Sequence, residues 1–275
     1  MISILMATYN GELYIEEQIQ SILKQSYQNY QLIIHDDGST DNTLDIIRKY
    51  ADIYNDKIKI IDDGIMTGGP RNNFFHLMGF VNTPYIMFCD QDDIWLPDKI
   101  KNAYDKCKEV ESREPSNTPV LVFSDLIVTD ESLNVISESL FKMQKTNPKY
   151  VENIGKLAYR NCVTGCTMLF NNRALNLAMP FSEDALMHDW WLALKILTNN
   201  GRIELIESKD ILYRQHGRNS VGAKGFSWLG LLNKKILSNI SNKYAQASDV
   251  GYKKSFGFFF VVSILMTIKE GFNRG

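Results

Sequence analysis

Three carboxylates fall within four residues at Asp90-Gln91-Asp92-Asp93, directly after the apolar run Tyr85 to Cys89. Acidic groups this close repel one another unless water or a cation stands between them. Hard divalent ions such as Mg²⁺ take oxygen ligands, use one or two carboxylates, and share the rest of their shell with substrate phosphates. On a diphosphate, such an ion neutralises the charge that grows on the leaving phosphate. The plainer reading is a solvated acidic turn before the helix begun by Pro97 and Asp98. A second acidic pair, Asp36-Asp37, runs into Gly38-Ser39. A carboxylate there can accept from a pyrimidine ring N–H, and glycine lets a backbone come close. The same residues also suit an Asx turn and a helix N-cap. Thr8-Tyr9-Asn10 is a third polar cluster, weak by itself. Asp189, within His188-Asp189-Trp190-Trp191, reads as a general base or as the N-cap of the helix after it.

These clusters need elements to hold them. Ile2 to Ala7 is a nearly continuous apolar run, as in a strand buried on both faces. Ile15, Gln18, Ile19, Ile22 and Leu23 then repeat at helical spacing. Leu32 to His35 and Lys57 to Ile61 read as further strands, with a helix at about Thr43 to Tyr50 between them. A glycine-rich loop, Gly64 to Pro70, precedes a helix near Asn73 to Phe80, and Tyr85 to Cys89 is the fourth strand. Repeated β-α-β units predict a mostly parallel sheet flanked by helices, with ligands beyond the carboxyl ends of the strands. Those ends carry the three polar clusters, so one rim gathers them.

Glu111 to Pro119, polar and with two prolines, reads as a linker. The expected layout is a Rossmann-like nucleotide-binding half at 1–111, an acceptor half at 112–224, and a helical tail at 225–275. The second half is less regular. Strands are expected at Val120 to Asp125, around Cys162 to Phe170 and near Ile203 to Ile206, with a helix at about Asp189 to Thr198.

Composition narrows the class. The 275 residues are 44% hydrophobic, enough for a full core at a size that buries roughly three quarters of the unfolded surface. A net charge of −2 argues against a nucleic-acid or general polyanion binder. Cys89, Cys107, Cys162 and Cys166 form no C-x-x-C pair, and read as reduced core thiols of a cytoplasmic protein. The apolar N-terminus has no basic n-region or cleavage site, so it reads as a strand and not a signal peptide.

Taken in order, A-T-Y-N-G, S-I-L-x-Q-S-Y, I-I-H-D-D-G-S-T-D-N-T and F-C-D-Q-D-D-I-W-L-P-D-K-I resemble glycosyltransferase family 2, inverting enzymes of the GT-A fold. N-C-V-T-G-C-T-M-L-F (161–170), M-H-D-W-W-L-A-L (187–194) and L-Y-R-Q-H-G-R-N-S-V-G-A (212–223) resemble its rhamnosyltransferase branch, which builds bacterial surface polysaccharides. The likeness spans about residues 1–223. It implies that Thr8 and Asp37 contact the nucleotide, with Tyr9 and Asn10 shaping its pocket. Asp90, with Gln91, would face the ribose or sugar, and Asp92 would hold Mg²⁺ or Mn²⁺. Asp189 would be the general base, taking the acceptor hydroxyl's proton in a single in-line displacement. Gly165, His188, Trp190 and Trp191 fall on the acceptor side, although helix neighbours point about 100° apart and only one tryptophan can face it. Arg214 and His216 sit where relatives touch the diphosphate or complete the metal shell. Arg71 reads as solvated.

The resemblance implies a nucleoside-diphosphate sugar as donor, dTDP-β-L-rhamnose foremost, with UDP-galactose, UDP-glucose or their N-acetyl forms as the alternative. The acceptor would be a lipid-linked saccharide or a polysaccharide. Gly257 to Ile268 is apolar but shorter than the ~20 residues that span a bilayer. With the lysines around it, including Lys234, Lys235, Lys253, Lys254 and Lys269, it reads as a surface contact with an anionic membrane, a packed helix or a homodimer interface. No G-x-G-x-x-G follows the first strand, and no P-loop is present. A non-catalytic carbohydrate-binding homologue would have lost the acidic triplet or the base. A nucleotidyltransferase would act on a sugar phosphate and a nucleoside triphosphate.

Overall fold

The computed structural model describes residues 1–217 and 234–272. Its first part alternates β1 (Ile2–Thr8), α1 (Ile15–Leu23), β2 (Tyr30–Asp36), α2 (Thr43–Ile53), β3 (Ile58–Ile61), α3 (Pro70–Met78) and β4 (Tyr85–Cys89). After β5 (Ile94–Trp95) and α4 (Lys99–Ser112) come β6 (Val120–Ser124), β7 (Ile127–Thr129), β8 (Val135–Ser137), α5 (Leu140–Gln144) and α6 (Ile154–Tyr159). Then follow β9 (Leu169–Asn171), α7 (Asn172–Ala178), α8 (His188–Thr198), β10 (Arg202–Ile206), β11 (Ile211–Arg214), α9 (Lys234–Asp249) and α10 (Phe256–Phe272).

Seven strands form the main sheet in the order β10-β6-β9-β4-β1-β2-β3. All neighbours are parallel except β9, which runs antiparallel to both β4 and β6. A small second sheet, β5-β11-β7-β8, lies beside it. The central strands are mostly apolar because helices cover both faces. Leu5, Ile33, Phe88 and Phe123 point into a core beneath α3, α8 and α9, and Ile4, Met6, Leu32, Met87 and Val122 into one beneath α1, α2 and α4.

Several expectations change. Cys162 to Phe170 is not one strand: a 3-10 turn, Gly165–Thr167, precedes the short β9. Glu111 belongs to α4, not to a linker, and its carboxylate accepts from Tyr85 Oη at 2.6 Å and Asn171 Nδ2 at 3.0 Å. The sheet itself runs through both halves, since β6, β9 and β10 extend the sheet that β1 to β4 begin. α4 begins at Lys99, one residue after its N-cap Asp98, whose carboxylate accepts from Ser26 Oγ at 2.6 Å. Arg71 is half-buried, and its guanidinium donates to the Ala185 carbonyl at 2.8 Å.

Within the described part of the tail, α9 and α10 pack against the rest of the chain and each other. Gln246, fully buried in α9, accepts from Leu186 N at 2.7 Å and so braces the loop before α8. Phe259 of α10 is buried with Tyr244 and Tyr252 against it. The opposite face of α10 exposes Phe258, Val261 and Leu265. Among the described residues, no helix is long and apolar enough to cross a membrane.

Candidate active site

At the carboxyl end of the parallel strands lies a cleft of about 460 Å³. Thr8, Tyr9, Asp37, Asp90, Gln91 and Asp92 line one wall; Gly165, His188, Asp189 and Trp190 line the other. The structure thus brings ten of the expected residues to one space. Asn10, Arg214, His216 and Trp191 do not line it.

The acidic triplet leaves β4 at its carboxyl end, where a parallel strand gives way to loop. Burial, and then the charges of Asp92 and Asp189, raise the Asp90 carboxyl to about 7. Asp93, fully buried, is also raised, first by burial and then by Asp92 and Asp90. Negative charge is therefore concentrated in this loop, and among the described residues no ion pair is formed by Asp90. Asp92 Oδ2 lies 2.8 Å from His216 Nε2, and the imidazole packs on Tyr14 with ring centroids 4.7 Å apart. Asp92 and His216 lie side by side, and ligating atoms of Asp90, Asp93 and Cys166 lie within 4.8 Å of one another, so groups able to take a divalent cation gather at this loop. His216, outside the cleft lining, is therefore a neighbour of Asp92 behind the wall.

Arg214 takes a different place from the one expected of a diphosphate ligand. It is 4% exposed. Its guanidinium donates to the Asp92 carbonyl at 3.0 Å, the Glu131 carbonyl at 2.7 Å and the Glu17 carboxylate at 2.5 Å, and lies over the Tyr14 ring. Planar geometry and several donors let one arginine tie three chain segments together. It shapes the acidic loop from behind.

The β1 and β2 ends are similarly laced. Gln91 donates to the Tyr9 carbonyl and accepts from Tyr9 N, both at 2.9 Å, so the acidic loop and the loop after β1 are held in register. Asn10 sits at φ 47° and its side chain accepts from Thr40 N at 2.8 Å. It organises the loop without reaching the cleft. Thr8 Oγ1 donates to Asp36 Oδ2 at 2.8 Å, and Asp36 makes the Asx turn through Ser39 N at 2.7 Å. Asp37 instead receives the glycine-rich loop: Thr67 N, Thr67 Oγ1, Gly68 N and Gly69 N all donate to it. Burial raises its carboxyl, but these bonds outweigh burial and leave it lowered. Gly69, at φ 131°, reaches it through a backbone conformation that other residues rarely adopt. A nucleobase on Asp37 has to share or displace those amides.

Across the cleft, Asp189 is the second residue of α8 and not its cap, which is Met187. Gly165 N donates to Asp189 Oδ2 at 3.1 Å and Trp190 N to Oδ1 at 2.5 Å. Burial outweighs these amides and raises the carboxyl to about 6. Gly165 is required there, since a Cβ would stand 2.8 Å from His188 Nε2. His188 is 4% exposed, packs on Phe74 and Phe88, and among the described residues neither ring nitrogen is hydrogen-bonded. Burial lowers it to about 3, so the ring is neutral and offers the cleft one donor and one acceptor. Trp190 lines the cleft with its Nε1 donating to the Leu157 carbonyl at 2.7 Å. Trp191 is core, 1% exposed and bonded to the Ala178 carbonyl, because adjacent helical residues diverge by about 100°.

The cleft also has walls absent from the sequence reading. Leu140, Phe141 and Gln144 of α5, with Asn73, Asn161 and Tyr213, line it. Tyr213 stands inside a motif already noticed, two residues before Gln215, and was open to inference; α5 carries no comparable signal. Residues 218–223 of that motif lie outside the described residues.

The profile of Glycosyl transferase family 2 matches residues 3–112. The chain is 32% identical over 272 residues to dTDP-rhamnosyl transferase RfbG of Shigella flexneri, covering 92% of this chain and 89% of the relative. It is 29% identical over 245 residues to UDP-Glc:alpha-D-GlcNAc-diphosphoundecaprenol beta-1,3-glucosyltransferase WfaP of Escherichia coli, covering 88% of each. Among solved structures, S. aureus TarS 1-349 in complex with UDP-GlcNAc superposes with a TM-score of 0.63 at 18% identity, over 94% of this chain and 69% of that one. The chain covers only 36% of a longer TarS structure. Mannosyltransferase PcManGT from Pyrobaculum calidifontis, in complex with GDP-Man and Mn2+, gives a TM-score of 0.57 at 16% identity, over 97% and 80%. These likenesses show the GT-A fold.

Proposed function

The chain belongs to glycosyl transferase family 2 and is a glycosyltransferase, and on that premise we propose that it inverts the anomeric carbon of L-rhamnose, moving it from dTDP-β-L-rhamnose to a hydroxyl of a lipid-linked saccharide or polysaccharide. The observation that carries the reading is one cleft with Asp90 and Asp92 on one wall and Asp189 on the other. A displacement needs a charge-handling side for the leaving diphosphate and a base for the incoming hydroxyl. In this reading Asp189 accepts the hydroxyl proton while the Gly165 and Trp190 amides hold its carboxylate in line. His188 orients a sugar hydroxyl through a nitrogen that has no partner among the described residues, and Trp190 gives the sugar a flat apolar wall. Asp92, with His216 and Asp90, would hold Mg²⁺ or Mn²⁺. When bound, such an ion supplies positive charge against the leaving diphosphate. Thr8, Tyr9 and Asp37 would border the nucleotide, with Gln91, Asn10 and Arg214 fixing the loops that do so.

The rhamnosyl donor is favoured by the 32% likeness over nearly the whole of the chain, and a UDP-glucose donor by the weaker one. Calorimetric titration with dTDP-rhamnose, UDP-glucose, UDP-galactose and UDP-N-acetylglucosamine, in Mn²⁺ and then in EDTA, separates them. Metal-dependent binding of dTDP-rhamnose alone is the expected result. Preference for a UDP-sugar would replace the donor and keep the reaction.

We further assign the outer face of α10 to an anionic membrane surface on the cytoplasmic side, where a lipid-linked acceptor would be met. Phe258, Val261 and Leu265 are exposed at helical spacing, next to Lys253 and Lys254. Removing α10 would also remove buried Phe259, a loss of about 3–5 kcal/mol, so a surface variant is the cleaner test. Phe258→Gln with Leu265→Gln should weaken co-sedimentation with anionic vesicles roughly 10- to 100-fold, at an unchanged melting temperature. An unchanged pellet fraction would assign that face to packing or to a second copy.

A further inference from the structure

A second cluster of ligating side chains lies behind the nucleotide wall, and the reaction above makes no use of it. His35, at the end of β2, is 2% exposed. Its Nδ1 lies 2.8 Å from Asn73 Oδ1, and Asn73 Nδ2 donates to the His35 carbonyl at 3.1 Å. The carbonyl can only accept, so the amide orientation is settled and Oδ1 faces the ring. Nδ1 therefore donates to Oδ1, and Nε2 is the ring nitrogen turned toward Asp63. His35 Nε2 stands 3.6 Å from Asp63 Oδ1. The distance is too long for a hydrogen bond.

A third group completes the cluster. His76 of α3 places Nε2 2.8 Å from Asp63 Oδ2, and the two imidazoles stand 4.7 Å apart, edge to face. Nitrogen and oxygen ligands of all three residues lie within 4.8 Å of one another. Two ligands of a tetrahedral zinc ion at ~2.0–2.1 Å stand about 3.4 Å apart, close to the His35–Asp63 separation. A ligating histidine ordinarily donates its other ring N–H to a fixed acceptor, the place Asn73 Oδ1 already holds. Ile65 N donates to Asp63 Oδ1 at 3.1 Å and steadies the carboxylate. The Asp63 and His76 side chains remain 29% and 19% exposed, so an ion and a completing water have access.

We propose that His35, Asp63 and His76 form a second divalent-metal site, separate from the one assigned to Asp92 and His216, with a two-imidazole, one-carboxylate donor set that selects a Zn²⁺-class ion over Mg²⁺. The ion joins β2, α3 and the segment after β3. That segment continues into Thr67 to Gly69, whose amides hold Asp37, so the bound ion fixes one wall of the cleft without touching substrate. The site depends on no assignment of the donor or the reaction.

The test uses the full-length chain, stripped with EDTA and titrated with Zn²⁺ in the absence of nucleotide sugar. In a background carrying Asp92→Ala and His216→Ala, one equivalent should still bind and raise the melting temperature. Adding Asp63→Asn and His76→Gln should weaken that binding at least about 100-fold, because losing even an outer partner of a ligand costs about 10–100-fold. Both added positions are partly exposed, so equal melting in EDTA verifies folding. Zn²⁺ affinity that is the same with and without Asp63→Asn and His76→Gln would overturn the proposal. Absence of binding from both would overturn it equally, leaving a histidine–aspartate ion pair.

Discussion

Asp189→Asn is expected to bind donor as tightly as the parent chain while turnover falls about 10²- to 10⁴-fold, the usual contribution of a positioned base. Asparagine keeps the size and one accepting oxygen, so either Gly165 N or Trp190 N keeps its partner and the other loses it. The cost of that loss is about 1 kcal/mol, too little to unfold the chain. The amide cannot take a proton from a hydroxyl at neutral pH. Retained turnover would end the assignment of Asp189 as base. The pH dependence follows from the same carboxyl. Burial raises it to about 6, and only the ionised form is a base. Turnover should climb with pH up to about 6 and level off above it, whereas the asparagine variant should show no such rise.

Asp92→Ala should abolish the metal dependence of donor binding. The parent chain is expected to lose affinity on addition of EDTA, and the variant to bind weakly and equally with and without it. The expected deficit is roughly 100-fold, since such ions rely on only one or two protein carboxylates besides the phosphates. His216→Ala should fall between the two, because Asp92 retains its oxygens. Calorimetry in Mn²⁺ measures all three proteins. Undiminished, EDTA-sensitive binding by the Asp92 variant would move the ion elsewhere in the acidic loop.

How much of this was legible depends on the kind of interaction involved. β1, β2 and β4 were readable because a strand covered on both faces has to be apolar, and because each ends in a polar group that the sheet places on one rim. The divergence of Trp190 and Trp191 was readable from helix geometry, though not which of them would be buried. Short strands such as β5 and β11 had no periodicity to read; each is held by partners distant in sequence. Residues 162–168 were mistaken for strand because Cys162, Val163, Cys166 and Met168 are buried. Their burial comes from a turn that brings Gly165 to Asp189. Arg214 was expected at the diphosphate because an arginine suits phosphate, but Glu17 and two carbonyls occupy its guanidinium, and no local spacing announces them. Asp37 was expected to face a nucleobase, and the four donors from Thr67, Gly68 and Gly69 come from a loop thirty residues away.

All four cysteines are buried and unpaired. Burial raises the thiols of Cys107 and Cys162 to about 12, and those of Cys89 and Cys166 well above their ordinary value. An alkylating reagent needs both access and a thiolate, so each sulfur is silent until its surroundings part. Cys162 borders the cleft and Cys166 follows Gly165 directly, whereas Cys107 lies in α4 away from it. The chain therefore carries its own stopwatches: labelling of Cys162 and Cys166 times the breathing of the cleft, and labelling of Cys107 times the opening of the scaffold beneath it.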